Sequence, residues 1–546
     1  PHSHVRAILL PRFGCPTTND YLRGMFVRRK QNRSGTVSIQ VVSKANGRYR
    51  VQKSFGSSRD EAVLKSLERA ARQWADEREF GDSLFSPDGA AEYDAIMSGI
   101  GQDQLRLVGP DLIYGRLFDK IGFSSVKTSD NDIFRSLVVT RLYRPGSKLK
   151  TLRYMAYFMN RYYDEDRIYR YLDELCWRPE AKPKAGAYDV KHEVERVTYN
   201  HTKKVLGGNI VVVFYDTTTM YFESREDDVR IPGWSKDGKN ANPQVVLGLL
   251  VAPGGNPIGY EIHPGNTYEG HTMLPIIEKL QQRFHFPKPI VVADAGLLSG
   301  ENIRDLEEGG YEYILGARIR SQSELFKERI VSLNLSNGES ASIELTDGRR
   351  MVVTMSDARA RKNAVDRERG LKRLEKRFKT DRITKDKLNN RGYNRFLTMT
   401  GDASVRIDYD KVAKDKCLDG YKGYTTNCTL TDDMVIEEYG YLFMIERAFR
   451  FCKTDLDIRP MYHRLFNRIE AHVCICFVAY TIMLELERIL KAAGSKISLD
   501  RARFLAEKIY QIDYINPYDN KRKSVLLHTN EEPEVTELLD IISANC

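Results

Sequence analysis

Apolar and polar positions change their period several times along the chain, and each change predicts a different kind of element. From Met25 the text "FVRRKQNRSGTVSIQVVSKANGRYRVQKSFG" alternates apolar and basic residues around two turn signals, Ser34-Gly35 and Asn46-Gly47, which predicts a small β-meander. In "SSRDEAVLKSLERAARQWADEREFG", Ser58 is a candidate cap, and Ala62, Leu64, Leu67 and Ala70 or Ala71 give one apolar face, so a helix should follow. Residues 80–98 read as a polar linker. About 100 residues of helical periodicity come next ("DLIYGRLFDKIGF", "NDIFRSLVVTRLYRPGSKLKTLRYMAYFMNRYY", "DEDRIYRYLDELC"), with Arg144–Lys148 as a turn and Asp164–Asp166 as an acidic helix start. The period then shortens. "NIVVVFYD" and "PIVVADAG" are almost wholly apolar runs ending in an aspartate, "QVVLGLLVAPGGNPIGYEIHPG" reads as a hairpin, "MLPIIEKLQQRF" as a helix, and "YEYILGAR" closes the series. Strands apolar on both faces are covered on both faces, so the fold class is α/β with a layered central sheet.

Residues 321–430 read as short strands ("RIVSLNL", "ASIELTDGRRMVVTM", "RFLTMTG", "VRIDYDKV") interrupted by a strongly basic stretch. Between Asp357 and Arg395 there are fifteen Lys or Arg against six acidic residues, nearly the whole chain's net charge of +10. Such an excess would self-repel as a solvated face and is better read as an arm that tracks a polyanion's phosphates. The eight cysteines are scattered without a C-x-x-C pair, so reduced thiols are expected. The longest apolar run, "VCICFVAYTIML", falls short of the ~20 residues needed to span a bilayer, which predicts a cytoplasmic protein without membrane contact. Residues 1–24 precede Met25, have mixed composition, and are set aside as an extension of uncertain status.

Candidate chemistry rests on three carboxylates. Asp216 ends "VVVFYD" and Asp294 ends "VVAD", so each should project from the carboxyl end of a core strand, where α/β sheets place ligands. Taken singly, each reads more readily as a turn or cap residue. Glu446 lies in "YGYLFMIERAFRFCK", read as one buried helix, and a carboxylate there needs a partner or a metal. Three carboxylates meeting at one point form the hard oxygen set that suits Mg²⁺ or Mn²⁺, and two such ions would activate a water or 3′-hydroxyl against a phosphodiester. Tyr439 and Lys453 stand seven residues either side of Glu446, which on a helix puts the three on one stripe. Those two, with Arg450 one turn on, would then hold phosphate oxygens of the strand being cut.

In these residues the chain resembles the DDE transposases of bacterial insertion sequences, specifically the insertion sequence 4 superfamily. That family's signature is Tyr, two residues, Arg, three residues, Glu, six residues, Lys. Tyr439, Glu446 and Lys453 match it, whereas the Arg position is Leu442, with Arg447 or Arg450 as substitutes. Asp216 in "FYDTTTMYFE" and Asp294 in "VVADAGLLS" match the two acidic motifs, and "GNTYEGHT" (Gly265, Asn266, Glu269) resembles the segment between them. The resemblance implies an RNase H-like core with a mostly β insertion between the second Asp and the Glu. The expected organisation is then a basic β/α DNA-binding module (25–80), a helical domain (99–205), a core in two parts (206–320 and 431–495), an insertion with a basic helical arm (321–430) and a C-terminal helical region (496–546). It further implies a two-metal (Mg²⁺ or Mn²⁺) cut-and-paste transposase, in which Asp216, Asp294 and Glu446 are catalytic and metal-binding and Tyr439, Lys453, Arg450 and Arg447 bind DNA. Double-stranded DNA, as terminal inverted repeats and then target, would be the partner, held by a homodimer or higher assembly on the bacterial nucleoid. In relatives an insertion-domain tryptophan stacks on a flipped base. Trp74, Trp177 and Trp234 lie outside that segment, leaving Phe326, Tyr393 or Phe396 for the role. A relative that binds DNA as a repressor without cutting is the alternative, and the presence of all three carboxylates weighs against it. A tyrosine recombinase fails for want of a His-x-x-Arg pair: Phe466 follows His463 at that spacing and Ile475 follows His472.

Overall fold

The computed structural model describes residues 25–45, 48–80, 101, 104–176, 190–222, 230–233, 242–297, 299–345, 348–380, 392–400, 404–456, 458, 461, 463, 465–515, 521–527 and 532–546. The 1–24 extension, most of the 80–98 linker, Trp177, Trp234 and part of the basic arm lie outside the described residues. Two compact units emerge, one of residues 1–105 with 511–527, the other of 106–510 with 528–546.

In the first unit β1 (Met25–Gln31), β2 (Val37–Ala45) and β3 (Arg48–Ser58) form an antiparallel meander. Helix α1 (Glu61–Phe80) lays Leu64, Ala71 and Ala75 on Ile39 and Val41. Part of the meander's positive charge is neutralised internally: Arg29 of β1 pairs with Glu61 at 2.8 Å and Glu68 at 2.5 Å, both on α1. A short strand, β4 (Leu105–Leu107), follows.

The second unit begins with helices α2 (Arg116–Ile121), α3 (Asn131–Tyr143), α4 (Lys148–Met159), α5 (Glu165–Leu175) and α6 (Val190–Val205). Asp130 caps α3 by accepting from the Ile133 N–H at 3.1 Å, and Ser147 caps α4 through Lys150. The chain then builds β5 (Val212–Tyr221), β6 (Ile231–Pro232), β7 (Pro243–Val251), β8 (Pro257–Pro264), α7 (Met273–Phe284), β9 (Ile290–Ala293), α8 (Gly300–Glu308) and β10 (Tyr313–Ala317). Beyond these come α9 (Glu324–Ser332), β11 (Ser340–Glu344), β12 (Arg350–Met355), α10 (Asp357–Thr380), β13 (Leu397–Thr400), β14 (Ser404–Ile407), α11 (Tyr409–Lys416) and β15 (Tyr421–Thr426). Helices α12 (Asp432–Gly440), α13 (Phe443–Arg450), α14 (Phe466–Ala492) and α15 (Leu499–Ala506), strands β16 (Tyr510–Ile515) and β17 (Arg522–Leu527), and α16 (Pro533–Asn545) complete the chain.

Nine strands form one mixed sheet in the order β11-β12-β15-β10-β9-β5-β7-β6, with β8 also on β7. Strands β5, β9 and β10 are parallel, while β7 runs antiparallel to β5 and β8 antiparallel to β7. Residues of opposite parity feed two cores. Val213, Tyr215, Val291 and Ala293 meet α7 and α8 on one face. Val212, Phe214, Val292 and Ile314 meet α12, α13 and the long α14 on the other. Helix α14 is apolar nearly all round, as a helix enclosed by others must be, and its Phe477 ring lies 5.0 Å from Tyr260 of the sheet.

Residues 321–430 are not mostly β. Helices α9, α10 and α11 alternate with the strands, and β11, β12 and β15 extend the main sheet while β13 and β14 pair separately. "RIVSLNL" begins inside α9, because the Ser323 hydroxyl accepts from the Phe326 N–H and Ile330 is the residue that α9 buries. In "VRIDYDKV" the strand stops at Ile407, since Asp408 accepts from the N–H groups of Asp410 and Lys411 and starts α11. The C-terminal region contains two strands as well as helices. No helix among the described residues is long and apolar enough to cross a membrane.

Candidate active site

Register puts the two aspartates side by side. Tyr215 pairs with Ala293 across parallel strands β5 and β9, so Asp216 and Asp294, the next residues, occupy one row about 4.8 Å apart in backbone. The row continues through Gly316 of β10 and Tyr424 of β15. Asp216 shares the parity of Phe214 and so belongs to the face covered by α12 and α13. It does not end its strand: β5 runs on through buried Thr217–Thr219, paired with Val246–Gly248. β-Branched residues with a partner strand continue the ladder, and β9 is the strand that stops at this row. Asp294 Oδ1 accepts from the Gly296 N–H at 2.7 Å, and Arg318 donates to the carbonyls of Ala295 (2.8 Å) and Gly296 (3.2 Å), fixing that loop. Asp216 Oδ1 accepts from the Thr217 N–H at 2.8 Å. The Gly265–Thr272 segment leaves β8 at this same end of the sheet, where the Tyr215 hydroxyl donates to Thr272 at 2.7 Å.

Tyr439, Glu446 and Lys453 do not lie on one stripe of one helix. Gly440 ends α12, the Leu442 N–H reaches the Tyr439 carbonyl and the Ile445 N–H that of Leu442, tightening the turn before α13. After α13 the backbone widens, the Leu456 N–H bonding to the Phe451 carbonyl, and Lys453 sits in this wide turn. Tyr439 is buried, 8% exposed, whereas Glu446 is exposed at the start of α13 and needs no buried partner. Ile445, Ala448 and Phe449 bury the opposite side of α13. Leu442, at the position where the motif carries Arg, is core. Arg450 is exposed, and Arg447 pairs with Glu487 of α14 at 2.9 Å.

The Tyr439 ring tilts against Tyr424 at 4.7 Å between centroids. Burial, then the charge of Asp294, pushes its phenol up, with Glu446 contributing in the same direction and Arg359 opposing. The hydroxyl lies over Gly316. A Cβ there would run into Tyr439 Oη and come within 2.9 Å of the Ala295 nitrogen. Gly316→Ala is therefore expected to lower stability by about 1–3 kcal/mol, read as the denaturation midpoint, and Tyr439→Phe in the same chain should restore part of it by removing the clashing oxygen.

Sequence reasoning missed Lys422. Its ammonium lies 4.2 Å over the Tyr439 ring and 4.9 Å over Tyr424. Burial, then Arg359, lowers it to about 8 against the opposing pull of Glu446. The "YKGY" alternation predicts a strand, but only its pairing with β10 turns Lys422 toward the carboxylates. Polar side chains following α13, and the aromatics considered for base stacking, have partners within the fold. Arg468 makes a two-pronged pair with Asp173 at 2.6 and 2.8 Å, and His472 is buried with Nδ1 3.4 Å from Arg141. The His463 ring tilts against His472 at 5.5 Å between centroids, and burial with nearby Lys148 and Arg141 lowers it to about 3. Phe396 is buried, Tyr393 packs on Gly370 with its hydroxyl on the Asp366 carbonyl, and Phe326 packs against the Ile330 core.

Among the described residues no three His, Cys, Asp or Glu side chains are gathered closely enough to hold a metal ion. Asp216 and Asp294 lie in one row of the sheet face that α13 covers, and Glu446 is an exposed residue of α13; all three are oxygen donors of the type that Mg²⁺ or Mn²⁺ takes, and they form no single ligand cluster.

A family model described as "Transposase DDE domain" matches residues 207–482, just over half of the chain. The chain belongs to the transposase DDE-domain family. Members of this family are DNA transposition enzymes that generally use divalent metal ions. The matched span begins just before β5 and ends within α14, taking in both aspartates and Glu446. Among solved structures, the chain is similar to a piggyBac transposase synaptic complex with hairpin DNA, at 11% identity and TM-score 0.38, over 73% of this chain and 76% of that one. It is also similar to a Mos1 transposase paired-end complex with the left transposon end, at 12% identity and TM-score 0.15, over 46% and 74%. No curated protein matches the chain.

Proposed function

We propose that this chain is a cut-and-paste DNA transposase of the insertion sequence 4 superfamily, built on an RNase H-like core, with Asp216, Asp294 and Glu446 as its catalytic carboxylates. The observation that carries the reading is the row placing Asp216 beside Asp294 on the face that α13 covers. The strand order β8-β7-β5-β9-β10, with only β7 reversed, supports the RNase H-like layout. The three carboxylates would hold two Mg²⁺ (or Mn²⁺) ions, which when bound activate the attacking oxygen and stabilise the leaving one. Water attacks phosphorus at the element's end and the P–O3′ bond breaks, leaving a 3′-hydroxyl. That hydroxyl then attacks a phosphodiester of target DNA, forming a new P–O3′ bond to the element while the target strand's own P–O3′ bond breaks and its 3′-hydroxyl leaves. Double-stranded DNA bearing terminal inverted repeats is the substrate, and pairing two ends calls for a homodimer or higher assembly. Lys453 and Arg450 would hold backbone phosphates beside Glu446, with Tyr439 supporting the Asp294 loop from below and Arg447 holding α13 against α14.

A plasmid carrying the DNA that flanks the coding region tests this. Purified protein with Mg²⁺ should release ends bearing 3′-hydroxyls, and a chelator should stop it. Release that persists in the chelator would overturn the metal chemistry. The absence of a single ligand cluster among the described residues favours a second reading, a DNA-binding relative that represses without cutting. Binding of the flanking DNA with no release in Mg²⁺ or Mn²⁺ would select it.

A further inference from the structure

We propose that Lys422 contacts a phosphate of the DNA strand being cut, supplying from β15 the cation that the tyrosine–glutamate–lysine motif lacks at Leu442. The proposal rests on the transposase reading above and on four observations. Leu442 is 7% exposed among apolar side chains, so no side chain from that position reaches a substrate. Arg447, the nearest cation on α13, is tied to Glu487. Lys422 has the parity of Tyr424, which sits in the row of Asp216, Asp294 and Gly316, and so lies on the same face at the same end of the sheet. Its ammonium is held over two aromatic rings, and among the described residues it makes no ion pair.

Two rings beneath an ammonium fix its direction without neutralising it. Arg359, exposed at the start of α10, adds a second positive charge beside the same pair of tyrosines. A phosphate arriving between Lys422 and the carboxylate row would meet a cation already in place, and its charge would offset the burial that now disfavours the ammonium.

The test compares Lys422→Met, Lys422→Arg and Asp294→Ala, using a duplex of the chain's own flanking terminus. For Lys422→Met the salt dependence of binding should fall by about one phosphate contact and affinity by about tenfold at 0.1 M salt, with slower end release. Lys422→Arg should restore the slope. If Lys422→Met keeps the wild-type slope and release rate while Asp294→Ala is inactive, the Lys422 proposal falls and the site stands. If Asp294→Ala releases ends at the wild-type rate, the transposase site itself is wrong. A lower melting temperature with an unchanged slope would mark Lys422 as structural only and overturns the phosphate contact.

Discussion

Alanine at Asp216, Asp294 or Glu446 is expected to remove Mg²⁺-dependent end release while leaving end binding close to wild type. Affinity for DNA comes mainly from Lys and Arg on phosphates, and none of these three carboxylates contributes to it. Rate, by contrast, depends on holding the ions. Loss of a residue that only orients a metal ligand costs about 10–100-fold, so loss of a ligand should exceed that in each single variant. The three should also be non-additive, each alone reaching nearly the loss of the triple variant, because they act as one unit. Glu446 discriminates most sharply. It is exposed and two-turn α13 is anchored by Ile445, Ala448 and Phe449, so Glu446→Ala should leave the melting temperature unchanged. End binding by gel shift, end release on a denaturing gel and the melting curve together check the expectation. A Glu446→Ala protein that nicks at the wild-type rate would sink the assignment.

The parts of this site legible in the sequence were those set by local pattern. Continuous apolar runs located β5 and β9, and the aspartates following them located the row, since two parallel core strands of matched length present their next residues together. The hairpin β7–β8 was legible for the same reason: "APGGNP" supplies Gly254 and Gly255, both at φ +78, to a turn between two apolar runs. Non-local effects were less visible. Asp216 looks like the end of a strand because charge interrupts the run, yet pairing with β7 carries β5 five residues further. Glu446 looks buried because its sequence neighbours are apolar, yet the tightened turn after Gly440 rotates α13 so that those neighbours face inward and the carboxylate outward. In the 321–430 segment, caps at Ser323 and Asp408 settle helix against strand in runs too short for periodicity to decide. Lys422 has no local signature at all; its meaning comes from the register of β15 on β10.

Glu485→Gln is expected to destabilise the helical layer that backs the sheet by about 3 kcal/mol. Its side chain on α14 is fully buried and meets two cations and a histidine from three elements: Lys120 of α2 at 2.9 Å, Arg488 of α14 at 2.6 Å and His201 of α6 at 3.4 Å. Burial alone would push this carboxyl up, but hydrogen bonds from Arg488, His201 and Lys120 outweigh it and hold the group well below the usual carboxylate range. Removing this anion leaves Lys120 and Arg488 without their shared partner, and breaking such a cluster costs about 3–5 kcal/mol. Partial exposure of Lys120 and Arg488 places the expectation near the lower figure. The sign of the pH dependence follows from the depressed acidity. The folded chain binds this proton less readily than the unfolded chain, so the stabilisation is complete above the unfolded carboxyl's ordinary range near pH 4.5 and is lost as pH falls toward the folded value. The wild-type denaturation midpoint should thus drop steeply in acid, and Glu485→Gln should drop less over the same interval. Equal acid slopes for the two chains would show that the carboxylate does not tie α2 and α6 to α14. In that case the layer holding α13 against the aspartate row must draw its stability from apolar packing around Phe477 and Ile482 instead.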